Sequence, residues 1–463
     1  MWIIFEFLRD FIRLYIYSWF NKPKWLNRIT LHFILFVFVF KVSNFVFHEP
    51  DFLHTDVDSA RYMLSALVQS EAAIIAIVIT LSLVGLQLSS SSYSARVIDV
   101  FKKTPDLHIL IVIYGIAIFY GLGVLKLIKT ANPQLCYTEF ICLANLEVHI
   151  SYSYYLGIFA YVSLVPYIMN TLDLLKPFRL IKILSQKITK KNIMRGILEQ
   201  NCCENDPIQP ITDIIVISMT KYEYETVKQG LNSIAIKSAE ILKKETLEKE
   251  VKSAEGAISR FIFNHLETIG RIAVSRKDDI SIQETIVTIG IIAEHSAKQK
   301  LNYPVYDATI LLGYIGKAAA KQKLEEAVKL AAQILAKIEK YTVEQELSGC
   351  PSEVVESLRL IGISASEERQ NFDVLLQILT SLEFVGISEI KNKLSIPILV
   401  VESIEKIGKT AAENNLEDVT KQALNSVISI EQKINEQEIV DTNGIIEEHK
   451  KKIIETLDGF KKK

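Results

Sequence analysis

Residues 70–96 read SEAAIIAIVITLSLVGLQLSSSSYSAR, and this stretch decides the fold. No charge interrupts residues 72–88, and with its flanks the segment reaches the roughly 20 residues a helix needs to cross about 30 Å of hydrocarbon. Wound as a helix, it places Glu71, Val78, Ser82, Gly85, Ser89 and Arg96 on one stripe. Thr80, Gln87, Ser91 and Ser94 fall nearly opposite. Polar side chains are costly in lipid, so both faces need partners and the helix is expected inside a bundle. Two readings fit Glu71, Thr80, Ser82, Gln87, Ser89, Ser91 and Arg96. In the first, small and hydroxylated residues let helices approach closely and bond carbonyls four residues back. In the second, the helix lines a watery path, with Glu71 at one mouth and Arg96 at the other. An acid at the start and a base at the end also suit the helix dipole.

The 463 residues carry a formal net charge of −2 and divide into unlike halves. Residues 1 to about 180 hold nearly all the long apolar runs, and the remainder is rich in Lys and Glu. Near-neutral charge without a basic, aromatic-interleaved surface gives no reason to expect a nucleic-acid partner. The five cysteines include no Cys-x-x-Cys pair and the histidines are scattered, so neither a metal site nor a cofactor is expected. Cys136 and Cys142 share one predicted external loop, where a disulfide and two free thiols are both open.

Around the quoted helix the apolar half supplies three more predicted crossings. They lie at about 29–47, with Lys41 as its one charge, at 108–127, and at 151–172, where Pro166 predicts a kink or break. Lys41 has two options, snorkelling to an interface or pairing with an acid such as Glu71. Residues 1–20 are interrupted by Glu6, Arg9, Asp10 and Arg13 and have no small-residue cleavage site. Trp2, Phe5, Leu8, Ile12, Tyr15 and Trp19 recur at helical spacing there, which predicts a helix lying in the membrane interface over 1–25. Lysine and arginine gather before the first crossing, after the second and after the fourth. The positive-inside rule then places both termini in the cytoplasm of a multi-pass cell-membrane protein.

The run LSLVGLQLSSSSYSARVIDVF, residues 81–101, resembles the DUF2254 family of predicted bacterial and archaeal membrane proteins. In that family a transmembrane helix ends in a Ser-rich segment followed by Pro-Arg. Gln87, Ser89, Ser90, Ser91, Ser92, Tyr93, Ser94 and Arg96 match this pattern, while Ala95 stands where the family commonly has proline. The resemblance covers mainly residues 60–130. It implies a four-helix membrane region, adds weight to the serine run and Arg96, and carries no activity.

Beyond residue 211 helical periodicity persists and a repeat emerges. LETIGRIA, LLGYIGKAA, LRLIGISA and IEKIGKTA place glycine at 270, 316, 362 and 408, a constant 46 residues apart. That period matches the roughly 40 to 47 residues of a HEAT or armadillo-like unit. Further copies surround Gly290 and Gly386, and a degenerate one has Ala235 in place of glycine. Gly408-Lys409-Thr410 imitates the end of a phosphate-binding loop, but Ser403 stands where that loop needs its first glycine and the context is helical. No catalytic constellation is visible, and the protein is not expected to be an enzyme.

The expected architecture is an all-α integral membrane protein. It has an interfacial helix at 1–25, a four-helix transmembrane domain at 26–180, a linker at 181–210 and a cytoplasmic helical-repeat domain at 211–463. The leading functional expectation is a channel formed by several copies and lined by the second crossing. The alternative is a membrane-anchored scaffold or sensor whose repeats bind a cytoplasmic protein.

Overall fold

The computed structural model describes residues 25–46, 57–92, 106–130, 146–174, 176–198, 206–243, 253–347, 350–392, 397–437 and 443–461. All the regular structure among them is helical. The chain divides into two units at Leu180/Ile181. Residues 1–24 of the interfacial helix expected at 1–25, the loop with Cys136 and Cys142, and Arg96 lie outside the described residues.

The first unit contains α1 (Trp25–Val46), α2 (Val57–Ser92), α3 (Asp106–Thr130) and α4 (Leu146–Leu174). Among the described residues three stretches are long and apolar enough to cross a membrane: Asp58–Gln87, Asp106–Ile128 and Val148–Asp173. The expectation of four crossings is therefore corrected to three. In α1 the apolar run between Arg28 and Lys41 is a dozen residues and includes Thr30 and His32, short of the roughly 20 a span requires. Lys41 is exposed on α1 and is not paired with Glu71. Helix α4 runs unbroken through Pro166.

Apolar faces assemble this unit. Leu31, Leu35 and Val39 of α1 pack on Phe159 of α4, with Phe36 edge-on to Phe159 at 5.2 Å. Val78 of α2 packs with Leu110, Tyr114 and Ala117 of α3 and with Ala160 and Tyr167 of α4. Leu64 of α2 meets Val124 and Ile128 of α3. Helix α2 thus touches both α3 and α4, while much of its surface in the span remains uncovered.

The second unit opens within α5 (Pro177–Ser185) and continues through α6 (Lys190–Leu198), so the stretch read as a linker holds helices. Then come α7 (Gln209–Thr220), α8 (Tyr224–Ile241), α9 (Ser253–Ser275), α10 (Asp279–Lys298), α11 (Asn302–Lys321), α12 (Glu325–Glu344), α13 (Cys350–Glu367), α14 (Phe372–Lys391), α15 (Pro397–Glu413), α16 (Glu417–Glu436) and α17 (Asn443–Lys461). From α9 to α16 each helix packs on its successor and on the helix after that, giving two rows. One row holds α9, α11, α13 and α15, which carry the glycines spaced by 46.

Those glycines set close contacts along the row. A Cβ at Gly270 would lie 2.6 Å from Ile315 Cδ1, and one at Gly316 would lie 2.5 Å from Ile361 Cδ1. Gly362 meets Ile407 in the same way. Gly408 sits in mid-helix beside Ala423, which accounts for it without a phosphate. The turns repeat as well. Lys277, Lys323, Arg369 and Asn415, again 46 apart, take left-handed backbone conformations with φ between 51° and 62°. At Lys323 the chain closes as a Schellman cap: Lys323 N–H donates to Ala320 O at 3.0 Å and Leu324 N–H to Ala319 O at 3.1 Å. Helix α17 packs on α15 and α16, burying Ile446 and Ile453.

Candidate functional site

Helix α2 starts at Val57, earlier than the apolar run suggests, because Leu64, Leu67 and Val68 continue the helical spacing upstream of Ser70. Glu71 consequently lies about midway along Asp58–Gln87. Its side chain is 1% exposed. Val78 is buried on the same stripe, and Ser82 and Gly85 are half-buried. One of the two polar faces is thus the packed one. On the other, Thr80 and Gln87 are exposed. Thr80 Oγ1 donates to Ala76 O at 2.9 Å, which satisfies its own hydroxyl.

Tyrosines of α4 meet the packed face. Ser70 Oγ donates to Leu67 O at 2.7 Å and lies 2.5 Å from Tyr161 Oη, so the tyrosine hydroxyl is the donor between them. Ser82 repeats the arrangement, donating to Val78 O at 2.6 Å while its Oγ meets Tyr167 Oη. These two serines act as the interhelical adhesive expected of small hydroxylated residues in a bundle.

Glu71 is held differently. Its carboxyl occupies the notch left by the missing side chain of Gly157 on α4: a Cβ there would sit 2.7 Å from Glu71 Oε1 and 2.9 Å from Leu67 Cδ2. Tyr114 of α3 is its neighbour and is completely buried. Neither Glu71 Oε2 nor Tyr114 Oη has a hydrogen-bond partner among the described residues. Nearer the start of α3, Asp106 accepts a hydrogen bond from Asn170 and pairs with Arg28 of α1 at 3.5 Å. All three of these side chains are buried.

Of the positions singled out in the sequence, Glu71 and Ser82 share the packed face, and Thr80 and Gln87 share the exposed one. Ser89 and Ser91 fall within α2, and Arg96 lies beyond the described residues. Tyr114, Gly157, Tyr161 and the Arg28–Asp106–Asn170 cluster were not anticipated. The pairing of Tyr161 and Tyr167 with Ser70 and Ser82 gives these tyrosines of α4 a structural task. Among the described residues no three His, Cys, Asp or Glu side chains are grouped to hold a metal ion.

The packed α2 bearing this serine run directs comparison to membrane families. Residues 26–222 match the DUF2254 family model, described as a predicted membrane protein. The DUF2254 segment therefore takes in α1 through α7 and ends at Tyr222, before α8. That description confers no activity. No curated protein matches the chain.

Proposed function

We propose that the protein forms an oligomeric permeation pathway lined by the second polar face of α2, with the C-terminal helices serving assembly or gating. The observation that supports this is the exposure of Thr80 and Gln87 in the span that the protomer covers least. An amide facing hydrocarbon leaves its donors and acceptor unmet, whereas a water-filled path or a second copy satisfies them. Few helices in one protomer enclose little space, so several copies around a common axis supply the path. The basic residues that follow α2 and α4 support, under the positive-inside rule, a cytoplasmic C-terminal half. With three crossings that assignment is carried forward for the C-terminal half alone.

Thiol accessibility tests the reading. In a cysteine-free background, Gln87→Cys in native membranes should react with a charged, membrane-impermeant thiol reagent and cross-link between copies. Leu110→Cys, whose native side chain is buried in the protomer, should do neither. Protection of Gln87→Cys combined with no cross-link would assign that face to lipid.

A membrane-anchored scaffold is the second reading, favoured by α11. Its exposed face carries Tyr303, Tyr306, Ile310 and Tyr314, with no charge among them. A groove of about 340 Å³ beside it is lined by Arg260 and Asn264 of α9 and by Asp307 and Tyr314 of α11. Tyrosine and arginine dominate protein-binding hot spots, and stacked HEAT or armadillo-like units present such surfaces. Loss of a co-purifying protein from full-length Tyr306→Ala/Tyr314→Ala, with the fold retained, would favour this reading.

A further inference from the structure

In the interior of the membrane unit Ser70 and Ser82 meet tyrosine hydroxyls, and Asp106 meets Arg28 and Asn170. Glu71 is an acid of another kind. It is 1% exposed, and among the described residues neither its Oε2 nor the nearby buried Tyr114 Oη has a partner. Of the two helices packed on α2, α3 brings Tyr114 within electrostatic reach of it and α4 brings the Gly157 notch, and no described lysine, arginine or histidine pairs with it. Tyr161 is already engaged by Ser70. An ionised carboxylate at this position has neither a countercharge nor a donor other than Tyr114, and burying it costs several kcal/mol more than burying the neutral acid. Metal cations are poorly served, since hard cations take about six or more oxygen ligands. The notch at Gly157 is filled by the carboxyl itself and by Leu67.

We infer that Glu71 is a proton-binding site inside the membrane unit, where the carboxylic acid is the form that packs into the Gly157 notch and the carboxylate is the form that loosens α2 from α3 and α4. The exchange is simple: the acid releases one proton to water and is left as the anion, which leaves the Gly157 notch for a donor or water as α2 loosens. The ligand is H⁺, and what it controls is the seating of α2. This inference stands on the protomer's packing and is independent of whether the assembled protein conducts.

Infrared spectroscopy of the full-length protein in lipid vesicles reads the site directly. The wild-type minus Glu71→Gln difference should contain one protonated-carboxyl C=O band that grows on acidification and bleaches on alkalinisation. Tyr114→Phe, which keeps the acid and deletes the facing hydroxyl, should shift that band without abolishing it. Identical carboxyl bands in wild type and Glu71→Gln would overturn the inference. So would a band that Na⁺ or K⁺ removes at constant pH, because the site would then hold a metal cation. If Glu71→Gln does not fold, the Tyr114→Phe shift decides alone, and an unmoved band counts against the proposal.

Discussion

A methyl group at Gly157 would land 2.7 Å from Glu71 Oε1 and 2.9 Å from Leu67 Cδ2, in a seam where α2 and α4 already touch. Gly157→Ala should therefore destabilise the detergent-solubilised protein by about 1–3 kcal/mol, the usual cost of overpacking, read as a lowered melting temperature. Gly115→Ala on α3 meets nothing within 4 Å and should be neutral or slightly stabilising. Equal melting temperatures for the two variants would remove the notch from the account. This scale is also where the sequence said least. Glu71 stands out as an acid in an apolar run, but its depth depends on where α2 begins. Tyr114 sits in HILIVIYGIAIF, where a hydrophobic pattern cannot tell a buried tyrosine from a lipid-facing one. Ser82 admits both pore lining and adhesive, Ser70 carries no signal of its own, and their tyrosine partners lie 85 and 91 residues away.

Among elements, the helix pairs of the second unit carry two expectations. Lys323 holds a left-handed conformation at φ 59°. Lys323→Gly should exceed Lys323→Val in stability by about 1–2 kcal/mol in denaturant titrations, because a β-branched side chain resists that conformation. The second concerns Glu339 on α12 and Glu389 on α14, adjacent helices of one row, where both side chains are fully buried. Thr342 Oγ1 donates to Glu339 Oε2, while Glu389 has no donor among the described residues. Burial pushes Glu339 up to about 7, and burial together with the neighbouring Glu339 pushes Glu389 up to about 8. An acid raised on folding binds its proton more tightly in the native chain. Stability from this pair is thus greatest at acid pH and falls as pH climbs from about 4.5 towards 8. Glu389→Gln should recover on the order of 2 kcal/mol at alkaline pH relative to wild type and flatten the decline, measured by urea denaturation across pH. A variant with the wild-type pH profile would place the charge elsewhere.

At the level of the whole molecule, the helical class and the division near residue 180 could be read from apolar runs giving way to Lys- and Glu-rich periodicity. The glycine spacing of 46 coincides with alternate helices of one row and with the left-handed turns at Lys277, Lys323, Arg369 and Asn415. The crossing count did not survive among the described residues, because Lys41, allowed within the expected span at 29–47, ends the apolar run of α1 after a dozen residues. The two polar faces of α2 were also visible, but not which of them the protomer keeps for itself. Packing on α3 and α4 takes the Glu71 face and leaves Thr80 and Gln87 outward, which gives the proposed path between copies the Thr80 face in place of the Glu71 face. The most direct test is current across a planar bilayer containing the purified full-length protein, compared with Gln87→Leu. The account predicts discrete currents whose conductance or selectivity changes with that substitution. Silence under varied voltage, tension and pH, or currents indifferent to Gln87→Leu and Thr80→Val, would contradict a pathway lined by the outward face of α2.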